Sequence, residues 1–187
     1  PGQVEAAVRL MLEGIKLLAP LAPSIRYVAV PSNHGRSRVG MKAEAGDPHD
    51  DYGIAVSQIV QTALTLNAAF DHVSVEIPEP HLESIGITTS GTRLGVVHGH
   101  QAGSPARLET WWAGQALGRG PTADADILIV GHWHHFNIFT TGDDRHIFVC
   151  PSADPGSAWV TNLKGHQALA GMLTFLTRDG KWGNPVI

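Results

Sequence analysis

The chain has 187 residues, of which 43% are hydrophobic and 16% charged, a composition typical of a folded globular domain and not of a disordered segment. Its formal net charge of -4 excludes a broad cationic surface of the kind that binds nucleic acid or anionic lipid. A single cysteine excludes an internal disulfide, and with no apolar run long enough to span a membrane and no signal peptide visible, we expect a cytoplasmic protein.

The first half of the chain alternates between helical and extended patterns. In chain order, the apolar spacing and the β-rich runs predict a helix over 4–18, a strand over 25–30, a helix over 54–70 and strands over 72–77 and 83–89. The intervening stretch 42–53 is polar and contains three aspartates, which indicates a loop. Segments that contain proline separate the other elements, whereas only Asp71 lies between the helix over 54–70 and the strand over 72–77.

The second half continues the alternation. The pattern predicts a strand within 93–100, a helix over 106–117, a strand over 127–130, a hairpin over 136–149 and a last strand over 168–177. The run ILIV at 127–130 is uninterrupted by polar residues, which is typical of a strand buried on both faces of a sheet. Since no repeat or linker divides the chain, we expect one layered α/β domain over 1–187.

Histidine is the unusual feature of the composition, with 11 residues. Three of the predicted strands end in loops that carry nitrogen or oxygen donors, in the stretches PSNHG, VVHGH and GHWHH. Loops beyond the carboxyl ends of strands converge on one crevice in an open α/β sheet. This arrangement is expected to gather six side chains around one point: Asn33, His34, His98, His100, His132 and His134.

These donors suit a metal centre. Neutral imidazole binds Zn, Mn, Fe, Co and Ni, while the oxygen of an Asn side chain is a harder ligand. A mixed nitrogen and oxygen set without cysteine favours a hydrolytic centre over a structural zinc site. Gly131 is expected to let the backbone turn sharply so that the following rings face inward. His132 and His134, two positions apart, are spaced to serve two adjacent ions.

The motifs SNHG, VVHGH and GHWH, in this order and each after a strand, resemble the later motifs of the calcineurin-like metallophosphoesterases. The similarity is greatest to phage- and prophage-type members, and it extends over nearly the whole chain. The resemblance implies a four-layer αββα sandwich, incomplete at its N-terminal side. It also implies two divalent metal ions, with Mn preferred and Fe, Zn or Ni as alternatives, and hydrolysis of a phosphate ester by a metal-bound hydroxide.

The resemblance assigns a role to individual residues. Asn33, His98 and His132 match ligands of the second metal, and His134 matches a ligand of the first. His34 matches the histidine that protonates the leaving group or steadies the transition state. The implied substrates are phosphodiesters of nucleotides or nucleic acid.

Two further residues are candidates for substrate binding. Arg36 follows the SNHG motif and is placed to grip a phosphate with two hydrogen bonds, although a solvated surface position is equally consistent with the sequence. His98 is preferred over His100 as the ligand, because the family histidine directly precedes a glycine. His100 is then left to contact substrate or to lie at the rim of the site.

The SNHG motif departs from the family pattern at two positions. Ser32 replaces a glycine, and Gly35 replaces the acidic residue that orients the histidine in many members. Either His34 is less well poised in this chain, or a nearby carboxylate substitutes for the missing acid. The candidate substitutes are Asp47, Asp50 and Asp51.

The D-x-H and GD-x-x-D motifs of the family are absent from the chain. They normally supply the remaining ligands of the first metal, the carboxylate that bridges both ions and the first strand of the sheet. We therefore expect the sequence to be the C-terminal two-thirds of an enzyme, whose missing ligands come from an upstream segment or a separate chain. The alternative is a non-catalytic fragment or degenerate domain that binds at most one ion.

Overall fold

The computed structural model describes residues 2–36, 46–142, 144–154, 156, 162 and 170–187. The chain divides into two compact units, Pro1–Glu83 and Ser84–Ile187. Each unit has its own secondary structure and its own apolar core. The expectation of a single domain over 1–187 stays a prediction.

The first unit contains two helices and two strands among its described residues, 2–36 and 46–83. Its elements in chain order are α1 (Gly2–Leu18), β1 (Ile25–Val28), α2 (Tyr52–Thr65) and β2 (Val73–Glu76), with 3-10 turns at Ala19–Leu21 and Ala68–Phe70. The strands β1 and β2 pair in parallel, with Ile25 opposite Val73. They require a crossover connection, which α2 provides.

Helix α2 forms the centre of the core of the first unit. Its residues Val56, Val60 and Leu64 repeat at four-residue steps and are buried against Ile15 of α1. The predicted helix over 54–70 ends earlier than expected, at Thr65. Asn67 stops it, because its backbone is extended and its side chain accepts a hydrogen bond from the Ala69 N–H at 3.1 Å.

The second unit is built on a five-stranded mixed sheet with the strand order β3-β4-β5-β7-β6. Its elements are β3 (Ser84–Thr89), β4 (Thr92–Val97), α3 (Leu108–Leu117), β5 (Ile127–Val130), β6 (Asn137–Thr141), β7 (Arg145–Val149), β8 (Thr174–Arg178) and β9 (Lys181–Val186). The three central strands β4, β5 and β7 are parallel, and the edge strands β3 and β6 are antiparallel to them. The strands β8 and β9 form a separate antiparallel pair.

Both faces of this sheet are covered, as the apolar run in β5 predicts. On one face Leu128 and Val130 pack with Trp112 of α3 in one apolar cluster. On the other face Ile127 and Phe148 pack with residues of the β8–β9 pair. Ile127, Leu128 and Val130 are completely buried, so β5 is the central strand of the unit.

The mixed α/β class is confirmed by these elements, and the four-layer αββα arrangement stays a prediction. The last predicted strand, over 168–177, was wrong in its start, because β8 begins at Thr174. Residues 168 and 169 lie outside the described residues. Strand β9 was not expected, since its sequence KWGNPV contains the turn-forming residues Gly, Asn and Pro. Among the helices that the structure describes, none has the length and apolar character required to cross a bilayer.

Candidate functional site

Three histidines of the second unit lie together where two parallel strands end. Val97 of β4 and Val130 of β5 are partners in the sheet register, and His98 and His132 follow within two residues of these positions. The ring centroids of His98 and His132 are 5.0 Å apart, and the His100 ring lies 5.5 Å and 6.1 Å from them. The structure thus brings these three side chains together by strand register.

The nearest ring nitrogens of this cluster have the separation of two ligands on one ion. Nε2 of His98 lies 3.2 Å from Nδ1 of His132. Two nitrogens bound to one metal at about 2.0–2.1 Å with a tetrahedral angle would be roughly 3.3 Å apart. The pair therefore fits as a partial donor set for a divalent metal. In the described part of the chain, no group of three His, Cys, Asp or Glu side chains is arranged to hold an ion.

The loop after β5, which we call the GHWH loop (residues 131–134), has an uncommon backbone. His132 and His134 both have left-handed conformations, with φ of 61° and 56°. The N–H of Trp133 donates to the carbonyl oxygen of Gly131 at 2.7 Å, so His132 is the central residue of a tight turn of the strained γ type. The expectation that Gly131 makes the turn was wrong, since the positive φ falls on the histidines.

Strain of this kind in residues other than glycine is concentrated at functional sites. The turn leaves His132 half-buried inside the cluster, while the side chain of His134 is exposed. The assignment of His134 to a separate ion stays a prediction.

A glycine is required after His98. Gly99 has φ of 112°, and a Cβ atom at this position would lie 2.5 Å from Cγ1 of Val130. Its N–H donates to the side-chain oxygen of Gln101 at 3.0 Å, which closes the turn that leads into His100. The role of Gln101 in this turn after β4 was not predicted from the sequence, because amide side chains in turns have no distinctive sequence pattern.

The first unit holds the other candidate loop, which we call the SNHG loop (residues 32–35). Asn33 is half-buried, and His34 is exposed on the wall of a cavity of about 540 Å³. The other lining residues are largely apolar and come from α1, from α2, and from β1 with the loop that follows it. The SNHG loop thus presents its imidazole beside a cavity within the 300–1,000 Å³ range common for small-molecule sites.

Arg36 has a carboxylate partner. Its Nη2 atom forms an ion pair with Oε1 of Glu83, and both side chains are largely buried. This partner was not expected from the sequence, because Glu83 is 47 positions away. The role of Arg36 in phosphate binding stays a prediction, and a phosphate would share the guanidinium with Glu83.

The comparisons with known proteins are of low similarity. No protein-family model matches the sequence. A search of curated protein sequences also finds no match. Among solved structures, a double mutant of Vps29 from Entamoeba histolytica is similar over 85% of this chain and 87% of its own, with 18% identity and a TM-score of 0.44.

Two other structures are similar over shorter lengths. Wild-type Vps29 from Entamoeba histolytica, complexed with Zn²⁺, matches 60% of this chain with 19% identity and a TM-score of 0.40, and the chain spans 55% of its length. A conserved uncharacterised protein from Streptococcus pneumoniae TIGR4, described as a predicted phosphoesterase, matches 49% of this chain and 52% of its own, with 15% identity and a TM-score of 0.32. Similarity at this level indicates no function for the chain.

Proposed function

We propose that the protein is a metal-dependent phosphoesterase that hydrolyses phosphodiesters of nucleotides or nucleic acid. The observation that carries this proposal is the pair of imidazole nitrogens 3.2 Å apart at the ends of two parallel strands. The register of β4 and β5 brings His98 and His132 together, and the left-handed backbone at His132 is a strained conformation of the kind that is concentrated at functional sites.

His98 and His132 would hold the metal, for which Mn is proposed and Fe, Zn or Ni are alternatives. A bound divalent ion lowers the pKa of a water molecule and neutralises charge on phosphoryl oxygens. His100, with its ring 5.5 Å from that of His98, is proposed to contact the substrate. Asn33 and His134 stay predicted ligands.

His34 is proposed as the general acid. It is exposed, so its ring is accessible to a substrate, and it borders a cavity large enough for the leaving group of a phosphodiester. A proton delivered to the leaving oxygen by a positioned imidazole raises the rate by about 10²–10⁴-fold. A two-ion centre needs further ligands, which we propose come from a segment that carries the D-x-H and GD-x-x-D motifs.

One observation favours a second candidate function, a metal-binding domain without catalysis. Within the described ranges no side-chain group forms a complete metal site, and a partial donor set is what a non-catalytic relative would retain. The two functions differ in hydrolysis and agree on metal binding by His98 and His132.

The test is a calorimetric titration with Mn²⁺ combined with hydrolysis of bis(4-nitrophenyl) phosphate. We expect the wild type to bind Mn²⁺, and His98→Ala and His132→Ala to lose binding by at least about tenfold, since each removes one nitrogen ligand. His135→Ala is the matched control, because this exposed histidine is bonded to the Trp133 carbonyl and lies beside the GHWH loop.

Wild-type affinity in both cluster variants would contradict the proposal. Mn²⁺ binding without hydrolysis would favour the non-catalytic domain.

A further inference from the structure

Asp51 is a buried carboxylate whose two oxygens serve two different elements. Asp51 is only 3% exposed to solvent. Oδ1 accepts hydrogen bonds from the N–H groups of Gly53 at 2.7 Å and Ile54 at 3.1 Å, which caps the N-terminus of α2. Oδ2 accepts from the N–H of Ser32 at 3.0 Å and from its Oγ at 3.2 Å. One carboxylate thus joins α2 to the start of the SNHG loop.

Ser32 is also hydrogen-bonded to Gly35, at the far end of the same loop. Its Oγ accepts a hydrogen bond from the Gly35 N–H at 2.9 Å. The Gly35 carbonyl oxygen in turn accepts from the N–H of Tyr52, the residue after Asp51, at 2.8 Å. Asn33 and His34 are therefore enclosed between two anchors, Ser32 and Gly35, that both depend on the start of α2.

The carboxylate also fills the space beside Gly35. A Cβ atom at Gly35 would lie 2.8 Å from Cγ and 2.9 Å from Oδ1 of Asp51, closer than real Cβ atoms approach other atoms. The residue after His34 consequently has no side chain, and the Asp51 carboxylate stands where that side chain would begin.

The carboxylates of the other two acidic candidates, Asp47 and Asp50, have different surroundings. Asp47 accepts from the N–H groups of His49 and His81 and pairs with the His81 ring at 2.7 Å. The hydrogen bond from His49 is the main cause of the lowered pKa of Asp47. The backbone N–H of Asp50 donates a hydrogen bond to the Asp47 carbonyl oxygen, and the Asp50 side chain lies beside Gly46. The structure thus separates Asp51 from Asp47 and Asp50.

We propose that Asp51 is a positioning residue for Asn33 and His34, which it fixes by bonding Ser32 and by filling the space at Gly35. The catalytic meaning of this role rests on the proposed function, in which His34 is the general acid. The positioning itself does not, because it follows from hydrogen bonds between Asp51, Ser32 and Gly35.

The division of labour between Oδ1 and Oδ2 allows a selective variant. In Asp51→Ser the hydroxyl retains the ability to cap α2, since serine is a good N-cap residue, but the acceptor for Ser32 is lost. We expect amide hydrogen exchange at Ser32 and Gly35 to accelerate by about tenfold or more, the effect of losing a hydrogen bond to a charged group. Exchange at Val60, in the middle of α2, is expected to stay unchanged.

Two further variants keep the test decisive. Ser32→Ala removes the hydroxyl between Asp51 and Gly35 and is expected to accelerate exchange at Gly35 while leaving the cap of α2 intact. Asp50→Ser is the matched control and is expected to leave exchange at both loop amides at the wild-type rate.

A rescue variant separates positioning from simple stabilisation. Gly35→Asp combined with Asp51→Ser moves the carboxylate to the other side of the vacated space, and we expect kcat for bis(4-nitrophenyl) phosphate to recover relative to Asp51→Ser alone, with KM little changed. Gly35→Asp alone is expected to be worse than wild type, because it crowds Asp51.

Unchanged exchange at Ser32 and Gly35 in Asp51→Ser would overturn the proposal. So would equal acceleration at Val60, since Asp51 would then be only a helix cap. If no hydrolysis occurs in the wild type, the proposed function fails while the exchange results still decide the positioning role.

Discussion

The SNHG loop and the GHWH loop hold their histidines by different means. In the GHWH loop, the position of His132 comes from the register of β4 and β5 and from a left-handed backbone at the histidine itself. In the SNHG loop, neither Asn33 nor His34 is among the residues with positive φ, and Ser32 at the start of the loop donates two hydrogen bonds to Asp51. The first loop is positioned by the sheet, and the second is anchored to the start of α2 by hydrogen bonds, in which the Asp51 carboxylate is the main acceptor.

This difference has a consequence for how each loop responds to change. A loop fixed by sheet register is sensitive to substitutions that disturb strand packing, because the strands carry buried side chains such as Val97, Leu128 and Val130. A loop anchored by a buried carboxylate is sensitive to substitution of that residue and of its hydrogen-bond partners. The difference between the loops also separates the proposed roles. His132 of the proposed metal pair belongs to the GHWH loop, which the sheet positions, and the proposed general acid His34 belongs to the SNHG loop, which Asp51 anchors.

The largest expected effect comes from separating these two roles. We expect His34→Ala to lower kcat for a phosphodiester by about 10²–10⁴-fold, the contribution of general acid catalysis, while Mn²⁺ affinity stays close to that of the wild type. Steady-state kinetics and calorimetry on the same preparation measure both. A parallel loss of Mn²⁺ binding in His34→Ala would show that the SNHG loop acts in metal binding. The two loops would then not have separate roles.

The second prediction tests the fixed geometry of the β4 exit. Gly99→Ala is expected to lower the free energy of unfolding by about 1–3 kcal/mol, since it forces a Cβ onto a left-handed backbone and against Val130. Gly131→Ala is the matched control, because its Cβ would make only ordinary contacts with His98, the nearest at 3.5 Å. Denaturant titration measures both variants. Equal destabilisation would mean that the GHWH loop and the His98 turn are equally constrained.

The strands were predictable from the sequence because their signals are local. Short apolar runs between turn residues placed β1 to β7, and the uninterrupted run in β5 indicated a strand buried on both faces. The end of α2 at Thr65 was not predictable, because Leu66, Ala68 and Ala69 continue the apolar spacing and one side-chain hydrogen bond of Asn67 stops the helix. Strand β9 was missed because its turn-forming residues outweigh its two apolar ones.

The candidate site was also predictable from the sequence only where its signals are local. The convergence of His98, His100 and His132 follows from strand ends, which a sequence displays. The choice of Asp51 over two neighbouring aspartates depends on a contact with Ser32, 19 positions away, and on the space beside Gly35 that its carboxylate fills. Contacts of this kind arise only when α2 packs beside the loop, so spacing alone leaves three equivalent candidates.

The smallest expected effect concerns Cys150, which follows β7 beside the end of β5. Burial raises the pKa of its thiol from 9.0 to about 11, so the thiol stays protonated near neutral pH. Iodoacetamide is therefore expected to alkylate Cys150 slowly at pH 7–8 in the folded protein and at the rate of an ordinary cysteine in urea. Because the thiol pKa is higher in the folded state than in the unfolded state, the protonated thiol of Cys150 contributes to the free energy of unfolding. That contribution is complete below about pH 9 and is lost as the pH rises through about 11. Rapid alkylation under native conditions would mean that the end of β7 opens readily, and the sheet would then be a less rigid support for the GHWH loop than the register of β4, β5 and β7 indicates.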